Sequence, residues 1–170
     1  AAIQTGRYPA RLGVTDWIRS RFQGGGIPLD KKNPSGFTGG SRKFLVPKNA
    51  LWMESAEITI AELLKPAGYV SCHIGKWHLG ADDWYPQKQG YDFNYGGCDY
   101  GQPPSYFDPY NKPTHRHAMI RAGIPHLPGR KPGQYLSDRE AEEAVAFIEK
   151  HKDKPFFLNM DNYAVHTPIQ

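Results

Sequence analysis

Three residues hold most of the chemistry this chain could do. Lys76 and His78 stand two apart in GYVSCHIGKWHLG, residues 68–80, between glycines and directly after an apolar run. His166 stands in YAVHTP, directly after a second apolar run, FFLNMDNY, residues 156–163. An ammonium neutralises an anion as a compact point charge, and an imidazole donates a hydrogen bond or moves a proton near neutral pH. The three together suit an anionic substrate. None is a strong nucleophile, so the set by itself binds an anion and stops there.

The elements around them explain how they would meet. TIAELLKPAG opens on Thr59 with Glu62 three residues on, a capping-box pattern, and Ile60, Leu63 and Leu64 give it an apolar helical face. Pro66 should end that helix and Gly68 should allow the turn out, leading into a strand over 69–74. The pattern repeats downstream. Ser137 and Glu140 again have capping-box spacing, and Ala141, Ala144, Val145 and Ile148 mark a helical face running to about His151. A turn, KDKP, then leads into a buried strand over 156–163. Helix, short loop and apolar strand, twice over, predict an α/β protein with a largely parallel sheet. In such sheets ligands bind outside the carboxyl ends of the strands. Parallel pairing would therefore bring Lys76, His78 and His166 to one edge.

The rest bounds the answer. At 170 residues the chain is about one domain's worth. Its 18 glycines and 15 prolines predict long loops, over 20–55 and 81–134. The aromatics between Trp84 and Tyr110 predict that part of the second loop is ordered and packed, with a cleft-lining role also open to them. Net charge is +4, but Lys31, Lys32, Arg42, Lys43, Arg116, Arg121, Arg130 and Lys131 are scattered, which reads as solvated loop charge and not as a nucleic-acid surface. No apolar run approaches the ~20 residues of a membrane span. Opening as it does on AAIQTGRYP, the chain reads as an internal piece.

Other candidates read as structural. Cys72 and Cys98 are too few for a disulfide framework and lack metal or redox spacing. His73 reads as a satisfied core histidine, His126 and His151 as surface residues, and Trp77 as packing behind the site. The HRH run, His115 to His117, has no nearby carboxylate to complete a metal site. GGG at 24–26 lacks the Lys-Ser/Thr of a phosphate loop.

GYVSCHIGKWHLG resembles the second signature of the sulfatase family, formylglycine-dependent sulfuric ester hydrolases of the alkaline phosphatase superfamily. Gly68, Tyr69, Ser71, Gly75, Lys76, Trp77 and His78 carry that resemblance. AAIQTGRYPARLGV resembles the residues that follow the family's first signature, C-x-P-S-R. QKQGYDFNYGG and YLSDREAEEAVAFIEKHKDKPFFLNMDNYAVHTP resemble the later substrate-loop and histidine-loop segments.

The resemblance implies an alkaline-phosphatase-like α/β sandwich, with residues 1–170 forming part of an N-terminal catalytic domain. It implies hydrolysis of a sulfated carbohydrate or aryl sulfate by a cysteine- or serine-derived formylglycine, whose hydrate attacks sulfur. Lys76, His78 and His166 would be catalytic, with Lys76 and His166 also binding substrate. Lys76 would contact sulfate oxygens and the formylglycine, His78 would accept the formylglycine proton, and His166 would assist the leaving oxygen. Ala1 to Gln4 would open the helix bearing the nucleophile, which itself is expected just upstream of Ala1. The family's calcium ligands are expected outside the chain, with Asp161 and Asn162 structural, and the isolated chain is expected to be inactive. A periplasmic, extracellular or lysosomal setting also follows. A phosphate or phosphonate ester hydrolase of the same superfamily, or a non-catalytic binder of sulfated glycans, would share these residues.

Overall fold

The computed structural model describes residues 1–21, 23, 32–41, 43–127 and 131–170. Lys31, Arg42, Arg130, Pro128 and the 24–26 glycines lie outside the described residues. The chain opens with a one-turn helix, α1 (Ala2–Thr5), and a two-stranded antiparallel pair, β1 (Phe37–Thr38) and β2 (Val46–Pro47). There follow α2 (Ile60–Leu64), β3 (Val70–Gly75), β4 (Phe93–Tyr95), α3 (Ala118–Ala122), α4 (Leu136–His151) and β5 (Phe156–Asp161). The main sheet is parallel throughout, ordered β4-β3-β5, with Gly75 of β3 opposite Asp161 of β5. The expected α/β class with a parallel sheet is what the chain adopts.

β3 is the central strand, and its alternation divides the core. Cys72 and Ile74 face α4, packing with Ala144 and Phe147. His73 faces the other way, edge-on to Trp77 and Tyr91. There Trp77, Tyr91, Ile18, Met53, Ala61 and Leu79 form a second cluster. A third, aromatic cluster holds Tyr85, Tyr100, Tyr106, Tyr110 and Tyr163. The aromatic segment is thus packed, as its composition predicts.

The first helix starts as read. Thr59 and Glu62 form a complete capping box, and Gly68 closes the exit with φ 80°. Its buried residue, however, is Ala61, and Leu63 is exposed, because the helix is one turn long and only one position reaches the core.

α4 departs further. It begins at Leu136 after Tyr135, so Ser137 lies inside the first turn and caps nothing. Glu140 instead turns inward, taking hydrogen bonds from Asn162 Nδ2 (2.8 Å) and the Tyr163 N–H (3.4 Å). The buried face is Leu136, Glu140, Ala144, Phe147 and His151, while Ala141, Val145 and Ile148 are exposed. Ala144 and Phe147 take the sheet-facing side, and Leu136 joins the aromatic cluster. His151, read as a surface residue, is buried between the rings of Phe147 and Phe93.

The two long loops also contain more than composition showed. Residues 20–55 include β1 and β2, and residues 81–134 include β4 and α3. Each of these elements has five residues or fewer, too short to display a period. β5 ends at Asp161, two residues before the expected end, and is half-buried because it lies at the edge of the sheet.

Candidate functional site

Lys76 leaves β3 where the two strands part. Its N–H donates to the Asp161 carbonyl at 2.6 Å, which fixes it to the end of β5. Gly75 permits this approach. Its φ is 92°, and a Cβ there would overlap the Asp161 carbonyl. Trp77 turns back into the core, and its indole N–H donates to the Trp84 carbonyl at 2.8 Å. It packs behind the site, as expected. His78 then takes φ 57°, unusual for a residue with a side chain, and holds it by donating its N–H to the Cys98 carbonyl at 2.9 Å. A strained non-glycine residue at a strand end is a signal of a site.

The His78 ring lies against Gly101, where a Cβ would lie 2.7 Å from ring Cε1. Burial, and then the Lys76 ammonium, push the His78 pKa from 6.5 down to about 4, with His166 adding to the fall. His78 is therefore a neutral imidazole at neutral pH. Lys76 is itself shifted down by burial.

His166 follows β5 on a loop clamped by Tyr106. The His166 N–H donates to the Tyr106 hydroxyl (3.0 Å) and to the Tyr163 carbonyl (3.1 Å). That hydroxyl lies 2.7 Å from the Tyr163 carbonyl oxygen and 3.0 Å from that of His166. His166 Nδ1 lies 3.1 Å from the Thr167 hydroxyl, which can donate or accept, and 3.3 Å from the Thr167 carbonyl.

Lys76, His78 and His166 line one cleft of ≈ 650 Å³. The parallel register brings together what the sequence placed at two strand ends. Sequence reasoning missed Trp17, Gly101, Gln102, Lys112 and His115, which line the same cleft. His115 belongs to the HRH run, where the absence of metal spacing hid a different use. The buried tyrosines of the 84–110 segment form core instead of lining the cleft; its contribution there is Gly101, Gln102, Pro103 and Pro104.

A network under the cleft ties its walls together. Buried Asp99 accepts from the Arg21 N–H (2.7 Å) and the Tyr85 hydroxyl (2.9 Å), and Arg21 also pairs with Asp82. This joins the segment carrying Ile18 to the segment carrying Gly101.

The remaining candidates resolve as structure. His73 Nε2 donates to the Gly75 carbonyl (3.2 Å) and Nδ1 accepts from Asn159 (2.9 Å), a satisfied core histidine. His126 is exposed. Cys72 and Cys98 are fully buried, and burial pushes both thiols up to about 12. Asp161 accepts from Asn159 and Asn162 donates to Glu140. Calcium needs six to eight oxygens. Among the described residues no three His, Cys, Asp or Glu side chains converge for a metal.

Against known proteins, the sulfatase family model matches residues 44–170. The N-acetylgalactosamine-6-sulfatase of Canis lupus familiaris is 31% identical over 99% of the chain and 30% of its own length. Arylsulfatase A of Homo sapiens is 26% identical over 99% of the chain and 31% of its own length. The chain thus spans about a third of the relatives it matches. Among solved structures, Ps i-CgsB in complex with k-i-k-neocarrahexaose superposes with a TM-score of 0.63 at 26% identity, over 99% of the chain and 34% of that one.

Proposed function

The chain belongs to the sulfatase family, and from that premise we propose that its protein hydrolyses sulfate esters in the cleft that holds Lys76, His78 and His166. The observation that carries this reading is the convergence of one ammonium and two imidazoles in a cleft that no carboxylate lines among the described residues. Such a cleft favours an anion, and its partial burial strengthens the attraction.

Lys76 neutralises the ester sulfate oxygens and stabilises charge as it shifts toward the leaving oxygen. His78, neutral because Lys76 and burial hold its pKa down, is the group that accepts a proton. His166 lies at the same cleft and assists departure of the leaving oxygen. A formylglycine, when present, supplies the nucleophilic oxygen that this chain's own residues lack. Residues 1–170 form part of the N-terminal catalytic domain in this reading, with the nucleophile and calcium ligands contributed by other segments, so the chain alone is inactive. The substrate is a sulfated carbohydrate in preference to a small aryl sulfate. The setting is periplasmic, extracellular or lysosomal. Among the described residues no helix is long and apolar enough to cross a membrane.

The test is to incubate the protein carrying this chain with matched sulfate, phosphate and phosphonate esters and to identify the anion released by ion chromatography. Inorganic sulfate as the main product supports the reading. Release of phosphate or phosphonate in its place assigns the cleft to the other hydrolases of the superfamily. Binding of sulfated glycan with no anion released makes it a binding protein.

A further inference from the structure

We infer that Lys112 and His115 form a second anion subsite in the same cleft, which holds a further sulfate or carboxylate on the glycan whose ester is cleaved. The inference rests on the sulfate-ester reading for the first anion.

Size is the first observation. At ≈ 650 Å³ the cleft has room for roughly twenty waters at about 30 Å³ each, far more than one sulfate group fills. Charge is the second. Lys112 and His115 enter the cleft from a loop remote in sequence from the strand ends, so five basic side chains share one space with no carboxylate in its lining. Ion pairs on the surface join Lys65 with Asp92, Lys131 with Glu142 and Arg7 with Glu57. Neither Lys76 nor Lys112 makes an ion pair among the described residues. Two ammonium groups and three hydrogen-bonding imidazoles in one cleft suit a ligand that carries two anionic groups.

The third observation is that this wall is built. The Lys112 N–H donates to the Ile120 carbonyl of α3 at 3.1 Å, and the His115 N–H returns to the Lys112 carbonyl at 2.9 Å. Arg121 clamps the loop through the carbonyls of His115 (2.9 Å) and Arg116 (3.0 Å). Asn111 Nδ2 bonds the Arg121 carbonyl at 2.8 Å. His115 Nδ1 accepts from the His117 N–H at 3.2 Å, so in the neutral ring Nε2 carries the proton. A lysine and a donor imidazole, three residues apart on one turn, are thereby held on the cleft wall. A substrate with a single anion leaves this wall unused.

The experiment uses the protein carrying this chain, its Lys112→Ala and His115→Ala variants, and oligosaccharides of equal length bearing one sulfate, two sulfates, or one sulfate and one uronate. Each variant is expected to lower the ratio of kcat/KM for dianionic over monosulfated substrate at least about tenfold, and to flatten its salt dependence. The two dianionic substrates tell whether sulfate or carboxylate is the second anion. Equal losses on mono- and dianionic substrates, or none, overturn the subsite. Should no sulfate ester be turned over, the function reading fails by itself. The subsite is then read from equilibrium binding, where Lys112→Ala must weaken dianionic more than monosulfated oligosaccharide by the same factor, and equal weakening refutes it.

Discussion

The His78 imidazole and Gly101 touch so closely that position 101 tolerates no side chain without displacing the ring. A Cβ there would lie 2.7 Å from Cε1 and 3.0 Å from Nε2.

Gly101→Ala should therefore act on catalysis more than on folding. Displacing an oriented group by about an ångström can cost on the order of a hundredfold in rate. The expected result is a fall in kcat/KM of at least about tenfold with a melting temperature close to that of the wild type. A variant with wild-type turnover would show that the position of His78 is unimportant.

Acid should destabilise the fold through two histidines and be opposed by one glutamate. Burial, Lys76 and His166 hold His78 at about 4, and burial holds His73 there too, against a pull upward from Asp161. Unfolded, both take up protons near their ordinary 6.5, so the unfolded chain binds more protons between those values and stability falls as pH drops across them. Glu140 has the opposite sign. Burial raises it from 4.5 to about 7, above the pull of Asn162 and Tyr163, so its contribution is lost as pH rises through that range. Urea midpoints across this window should show His78→Gln flattening the acid loss and Glu140→Gln steepening it. The reverse order would contradict the assigned burial effects.

Asp99 should matter more to stability than either of its partners' visible positions suggest. Its removal by Asp99→Ala takes the buried acceptor from the Arg21 N–H and the Tyr85 hydroxyl, while Arg21 keeps Asp82, at a cost of about 2 kcal/mol or more. Tyr85→Phe deletes one bond to it and should cost about 1 kcal/mol. Denaturant unfolding of the two variants tests this order, and equal small losses would show that the network carries no strain when broken.

The strand ends were legible because their signals are local. An apolar run followed at once by Lys76 and His78, and another followed by His166, needed only the parallel pairing of β3 and β5 to become one edge. The first capping box was equally local. α4 was harder, since Ser137 and Glu140 satisfy the same spacing but Glu140 is claimed by Asn162 and Tyr163, partners beyond the helix. The face of α4 was misjudged for a related reason. Ala141, Val145 and Ile148 are periodic, but so are Leu136, Ala144, Phe147 and His151, and only the sheet decides between them. Lys112, His115 and Gly101 were invisible because each reaches the cleft through loop contacts at long sequence separation. β4 was hidden in the aromatic segment because three residues show no period.

The central claim is that Lys76 supplies the charge that makes this cleft a sulfate-ester site. Its most direct test is kcat/KM of the protein carrying Lys76→Ala on a sulfate ester that the wild type cleaves. Loss of a preorganised electrostatic donor predicts a fall of at least about a hundredfold, with the fold intact by circular dichroism. Near-normal turnover by that variant would contradict the account.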